Sequence, residues 1–173
     1  MRRSFVIAAL LLGLVSTGFL APAARADQTY TDVVSGTETS TGTINGNTRS
    51  GVTFTGMAAG QLPGQWDVAI RYMPASPDCG GSNRILNGSW TLTLTDGTVL
   101  TGRVSHGSVT FDQHCAFGQV EAELLVTSCS PGTGSTVCNG FNGGRGRFDG
   151  TLNHLPLLMG QPATLTGTLQ FRF

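Results

Sequence analysis

The sequence predicts an all-β protein: an antiparallel up-and-down β-barrel of about eight strands, stapled by disulfides. Three observations carry this. Apolar and polar residues alternate with period two in one segment after another, which gives strands with one face inside. Gly-rich turns, Asn45-Gly46 and Asp96-Gly97 among them, punctuate the chain at short intervals. Stretches rich in Ala, Leu or Glu that would build helices are scarce in the remainder of the chain.

The N-terminus is a separate matter. Met1-Arg2-Arg3 is a basic start, Phe5 to Leu14 is an apolar run that continues more weakly to Leu20, and Ala24-Arg25-Ala26 is a small-x-small cleavage site. That order reads as a signal peptide over residues 1–26, cut after Ala26, which makes the mature chain secreted or periplasmic. The apolar run is short for a span of about 20 residues and is broken at Gly18 and Pro22, against a permanent anchor. Arg2-Arg3-Ser4-Phe5-Val6 also resembles a twin-arginine signal, although the strong apolar core suits the general secretory route.

Residues 27–50 form a polar segment rich in Thr, Ser and Gly, with a strand over Tyr30 to Val34 followed by a loose hairpin around Asn45-Gly46 or a mobile arm. The barrel domain is read over residues 51–173. Val52, Phe54 and Gly56 alternate with Thr53 and Thr55; Trp66, Val68, Ile70 and Tyr72 alternate with Asp67, Ala69, Arg71 and Met73. Pro74, Pro77 and Gly80-Gly81 mark a long loop over 74–86. Trp90, Leu92 and Leu94 then alternate with threonines, turn at Asp96-Gly97 and return over Val99 to Val104. His106-Gly107 reads as a turn before Val109 to Phe111. Phe117 to Val126 sets Val120, Ala122, Leu124 and Val126 on one face and Glu121 and Glu123 on the other. Gly-rich residues follow over 139–146, then a strand from Arg147 to Leu152, a break at His154-Leu155-Pro156 and a last strand from Thr164 to Phe173. The near-sequential hairpins favour a barrel over a sandwich, and closure removes exposed strand edges.

A mature chain of 147 residues suits one domain. It has no Lys, and its seven Arg stand against ten Asp and Glu, so its net charge is about −3. No basic patch exists for nucleic acid. Gly reaches 23 of the 147 residues, about twice its usual share. The four cysteines, Cys79, Cys115, Cys129 and Cys138, imply two disulfides in an exported chain. Three pairings are possible and the sequence alone does not choose; the ten-residue loop favours Cys129–Cys138, which leaves Cys79–Cys115. No zinc-ligand spacing is present, and neither a metal nor a cofactor is expected.

Leu124 to Thr127, Gly132-Thr133-Gly134 and Gly143 to Leu152, together with the Trp90 hairpin and Leu165-Thr166-Gly167-Thr168-Leu169, resemble bacterial exported proteins similar to the allene oxide cyclase and dirigent β-barrels. The resemblance covers residues 51–173 and implies an eight-stranded antiparallel barrel. A Cys-bounded insertion separates Gly132-Thr133-Gly134 from the Gly-Arg-Phe segment, and none of the plant enzymes' catalytic residues matches a position here, so it implies a fold and not an activity. Gly64-Gln65-Trp66 is similar to the Gly-x-Trp that opens lipocalins, but Asp67 and its late place in the chain depart from that pattern.

Candidate site residues follow from the strand faces. Trp66, Tyr72 and Trp90 are the aromatic positions expected to line a ligand cavity in the barrel mouth. Asp67 with Arg71, and Glu121 with Glu123, share strand faces and would form a polar cluster if those faces pointed inward; otherwise they are solvated surface pairs. His106, Asp112, His114 and His154 are the remaining titratable candidates, read as ordinary loop residues. No hydrolase, metalloprotease or phosphate-loop motif occurs. Asn87-Gly88-Ser89 fits a glycosylation sequon. The expectation is a binding module for a small apolar ligand or a cell-envelope interaction module. A cyclase- or isomerase-type enzyme on the same barrel is the alternative. An outer-membrane barrel ending at Phe173 is a further one, against which stand only two Trp and two Tyr.

Overall fold

The structure is a computed structural model that describes residues 28–139 and 141–173; the expected signal peptide lies outside the described residues. Eight strands follow one another: β1 (Thr29–Asn45), β2 (Thr48–Gly60), β3 (Gly64–Met73), β4 (Ser82–Leu94), β5 (Val99–Phe111), β6 (Phe117–Ser130), β7 (Gly144–Asn153) and β8 (Thr164–Arg172). Each pairs antiparallel with the next, and β8 pairs with β1, so the sheet closes into the up-and-down barrel expected from the sequence. Closure lets every strand place its backbone groups in ladders and leaves no lateral edge over the barrel's height. Among the described residues one 3-10 helix, Leu155–Met159, breaks the all-β pattern, and no helix is long and apolar enough to cross a membrane.

The alternation read in the sequence becomes an inside and an outside. Leu92, Leu100 and Phe171 point inward and are almost wholly buried, while Thr31, Asp67, Glu121 and Gln170 point outward. Eight strands enclose a space only just wide enough for side chains to fill it. This barrel fits its large rings by setting them over inward-facing glycines. A methyl group on Gly36 would stand 2.7 Å from Trp66 Cζ2. One on Gly146 would stand 2.6 Å from Phe171, one on Gly167 2.7 Å from Phe148, and one on Gly144 2.7 Å from Phe173. Gly102 lies under Trp90 in the same way. The high glycine content therefore serves the interior as well as the turns.

Three segments differ from the sequence reading. Residues 29–50, read apart from the barrel, supply β1 and the start of β2, joined at Asn45-Gly46 into the longest hairpin; a bulge between Glu38 and Ser40 bends it. β4 begins at Ser82, inside the expected long loop, because Asn83 turns its side chain onto that loop. Its Nδ2 donates to Pro74 O and Ser76 O (3.3 Å each), and its Oδ1 accepts from Asp78 N at 3.0 Å. His106-Gly107 does not turn the chain: β5 runs through it, with a register shift between Val104 and His106 absorbing the irregularity.

The two ends are built differently. At the end where β1 starts and β8 finishes, Tyr30, Leu62, Leu94 and Phe141 close the barrel. Tyr30 stacks on Phe173 at 5.1 Å, and Phe141 meets Phe173 edge-on at 5.8 Å. The Cys129–Cys138 bridge closes the β6–β7 loop there. At the opposite end, Cys79–Cys115 ties the β3–β4 loop to the β5–β6 loop. These are the pairings the loop spacing favours.

Because Gly36 and Trp66 share one space, Gly36→Ala is expected to lower stability by about 1–3 kcal/mol through overpacking. Combining it with Trp66→Phe should cost less than the two single changes added together. Urea denaturation of the four proteins checks this; strict additivity would show that the ring does not occupy the glycine's space.

Candidate functional site

Inward side chains do not fill the barrel throughout, although Trp90 of β4 and Phe171 of β8, on opposite strands, meet across it with centroids 5.0 Å apart. A cavity of about 100 Å³ remains. Val34, Phe54, Trp66, Trp90, Phe148 and Phe171 form much of its wall, completed by aliphatic side chains of β3 to β8, and the surface presented to the cavity is wholly apolar. Several inward wall residues, Val68, Ile70 and Phe148 among them, keep accessible surface instead of packing fully. The plugged end contributes none of Tyr30, Leu62 or Leu94 to the wall, so the cavity lies toward the other end, here termed the mouth.

Of the residues expected to bind a ligand, Trp66 and Trp90 lie in the wall. Trp66 Nε1 donates to Ser35 O at 3.3 Å, which fixes the ring. Trp90 packs against Phe171 with centroids 5.0 Å apart, and its Nε1 is buried with no acceptor among the described residues. Tyr72 stands just beyond the wall, two residues past Ile70 on the same strand face and paired with Ile85 of β4. The charged candidates stand elsewhere. Asp67 adjoins the cavity through its strand, but its carboxylate is exposed on the outer face, where Thr55 Oγ1 and Gln65 Nε2 donate to it. Arg71 is exposed on the same outer face. Glu121 is also outside, 3.8 Å from Arg147, whose guanidinium is held by Asp149 at 2.7 Å. Glu123 pairs there with His106 at 3.3 Å. The charged pairs that the sequence placed conditionally inside are both outside, Asp67 and Arg71 on β3 and Glu121 and Glu123 in a network over β5 to β7. Among the described residues no group of three His, Cys, Asp or Glu could hold a metal ion.

Apart from Tyr72, the inward polar groups are ones not singled out from the sequence. Asp32 is buried on β1 between Tyr30 and Val34. Its Oδ1 accepts from Leu62 N at 2.7 Å, while Oδ2 is buried without a partner. Burial raises its carboxyl above the ordinary value of 3.8, and backbone N–H groups of Leu62 and Gln61 pull it part of the way back. Asp32 therefore fastens the β2–β3 turn at the plugged end. At the mouth, Glu38 of β1 and Tyr72 of β3 are half-buried, with Arg49 of β2 between their strands. Arg49 Nε donates to Ala75 O at 2.9 Å and Nη1 to Thr41 O at 3.1 Å. Burial raises both the Glu38 carboxyl and the Tyr72 phenol, and Arg49 draws each partly back. The signal for the inward acids was present in the sequence: the alternation Tyr30, Asp32, Val34 continues through Gly36 to Glu38 in one inward phase.

His154 completes the mouth-end loops. Its Nδ1 lies 3.0 Å from Cys115 O and its ring packs on Phe111 at 5.1 Å, and burial holds its pKa below the usual value. Comparison of the chain with protein-family models, with curated proteins and with solved structures finds no match.

Asp32 gives a pH test. A carboxyl raised on folding adds stability as pH falls through its folded pKa, and the gain is complete below the unfolded value near 3.8. Asp32→Asn is therefore expected to be at least as stable as the parent at pH 7, with the difference shrinking toward pH 4. Asp32→Ala, which strands the Leu62 N–H, should lose about 1–3 kcal/mol at both. Urea denaturation at the two pH values reads this; a gap that widens toward pH 4 would refute the assignment.

Proposed function

We propose that the protein is an exported binding module that carries a small apolar molecule inside its barrel. The observation that supports this most directly is the central cavity of about 100 Å³, whose surface is apolar throughout. Eight-stranded barrels of this width either pack their interior with side chains or hold one small ligand. Here aromatic rings lie over inward glycines, and a cavity remains beside the Trp90–Phe171 contact. Apolar pockets with a few polar groups at one side are the common form of small-molecule sites.

Other features agree. The outward positions of β1, β6 and β8 carry Thr31, Ser35, Gln119, Glu121, Thr166 and Gln170, an aqueous-facing set and not the apolar band of a lipid-facing barrel. Two disulfides suit an oxidising compartment and so the export reading. The cyclase or isomerase alternative calls for charged groups facing the cavity; Asp67, Arg71 and Glu121 turn theirs outward, and the half-buried Glu38 and Arg49 stand beyond the cavity wall. The likeness to allene oxide cyclase and dirigent barrels enters as analogy of fold and carries no activity.

Toluene is a suitable first probe. Saturable shifts of the Trp66 and Trp90 indole signals are expected on titration, and Ala122→Leu, which extends a wall residue into the cavity, should weaken binding at least tenfold. No saturable shift in the parent, or an unaffected Ala122→Leu variant, would sink the carrier reading. Export has its own check: protein recovered from the medium or periplasm should have the mass of Asp27–Phe173 with both disulfides formed, and a full-length mass there would contradict the cleavage.

A further inference from the structure

The mouth of the cavity holds three polar side chains whose bonding is uneven. Arg49 is pinned by two backbone carbonyls. Glu38 and Tyr72 have no hydrogen-bond partner among the described residues, although both are half-buried. Glu38 pairs across β1 and β2 with the wall residue Phe54, and Tyr72 pairs across β3 and β4 with the wall residue Ile85. A carboxylate oxygen can only accept, and a phenol can both donate and accept. We propose that this mouth is a head-group site for a neutral alcohol, whose apolar body fills the cavity and whose hydroxyl donates to Glu38 and accepts from Tyr72.

This deepens, and rests on, the carrier reading. The choice of a neutral hydroxyl follows from charge and donor count. Arg49 and Glu38 act on each other through space, and both act on Tyr72. Their charges offset, so an ammonium head would meet Arg49 and a carboxylate head would meet Glu38 as like charges. A hydrocarbon would leave both polar groups partly desolvated and unpaired, which disfavours it against a ligand that can satisfy them. A hydroxyl supplies one donor and acceptor lone pairs at a single atom, the complement of an acceptor on β1 and a donor on β3. Arg49 is a positioning residue here: its bonds to Ala75 O and Thr41 O tie the long β1–β2 hairpin to the β3–β4 loop and hold the mouth's shape.

The test compares four probes of equal chain length on the full mature protein: n-hexane, 1-hexanol, hexylamine and hexanoate, titrated by calorimetry at pH 7. Expected is 1-hexanol binding about tenfold more tightly than n-hexane and more tightly than either charged probe, one good hydrogen bond being of that order. Glu38→Ala and Tyr72→Phe should each bring 1-hexanol and n-hexane close to equal affinity, and an unchanged circular-dichroism spectrum shows that the variants fold. Equal binding of hexane and hexanol would overturn the head-group site and leave the carrier reading standing. So would tightest binding of the amine or the acid, or variants that leave hexanol unaffected. Failure of all four probes would instead remove the carrier reading and the head-group site with it.

Discussion

Closing eight strands on themselves fixes the width of the interior, and the rest of this molecule answers to that width. An eight-stranded barrel has room for side chains or for one small ligand, not both in full. Large rings would overfill it if every inward position carried a Cβ. Glycine at Gly36, Gly102, Gly144, Gly146 and Gly167 lets Trp66, Trp90, Phe173, Phe171 and Phe148 lie against the opposite or adjacent backbone. Trp90 and Phe171 still meet across the barrel at 5.0 Å, and a cavity of about 100 Å³ remains beside them. The arrangement has an energetic consequence. Glycine in a strand interior costs backbone entropy and offers nothing to pack, so each such position weakens its strand unless a neighbouring ring covers it. The ring–glycine pairs meet that condition, and Trp66, Trp90, Phe148 and Phe171 also form part of the cavity wall.

The polar groups divide along the same axis. At the plugged end Asp32 holds the β2–β3 turn by its Leu62 contact, below a stack of Tyr30, Phe173 and Phe141. At the mouth Asn83, Asp112, His154 and the Cys79–Cys115 bridge lock the loops to one another. The Asp112 carboxylate alone takes the N–H groups of His114, Ala116 and Phe117. Most half-buried side chains at this end are thus occupied with holding loops. Glu38 and Tyr72 stand apart because nothing in the loops uses them, and because they adjoin the cavity wall. Glu38 and Tyr72 are half-buried but keep solvent-accessible polar atoms, so an acceptor and a donor without side-chain partners stand available to a ligand beside the cavity wall.

Much of the fold was legible in the sequence, for a physical reason. A strand with one face buried must alternate, and a one-residue slip would turn its apolar set outward, so Trp66 to Tyr72, Phe117 to Val126 and Thr164 to Phe173 show their inward face without ambiguity. The segment 27–50 was harder, because its inward phase carries Asp32, Gly36 and Glu38 where alternation would ordinarily show aliphatic residues. These residues hide the strand and, in Asp32 and Glu38, hold its chemistry. Ser82 to Leu86 was obscured by the neighbouring prolines and glycines, and only Asn83's bonds to the loop show why a strand starts there. The aromatic part of the candidate site could be read as Trp66, Tyr72 and Trp90. Its polar part could not: Asp67, Arg71 and Glu121 lie on the faces opposite those apolar sets, and the half-buried Glu38 and Arg49 sit in the segment whose alternation was hidden.

The size of the cavity also limits how tightly any occupant can be held, and this bears on what the mouth is for. Very small ligands gain at most about 1.5 kcal/mol per non-hydrogen atom. An occupant of about six such atoms, the order that a cavity of about 100 Å³ accommodates, therefore reaches no better than roughly micromolar to submicromolar affinity. Apolar contact also discriminates poorly: one methylene more or less changes affinity by only about ten- to a few-hundredfold, and a carbon wall reads shape and little else. A site that leaves an unmet polar group when the wrong ligand binds discriminates far more sharply. Under the proposed carrier role, selection among molecules of similar size falls to the polar groups beside the cavity, Glu38 and Tyr72 at its rim and the unpaired Trp90 Nε1 in its wall.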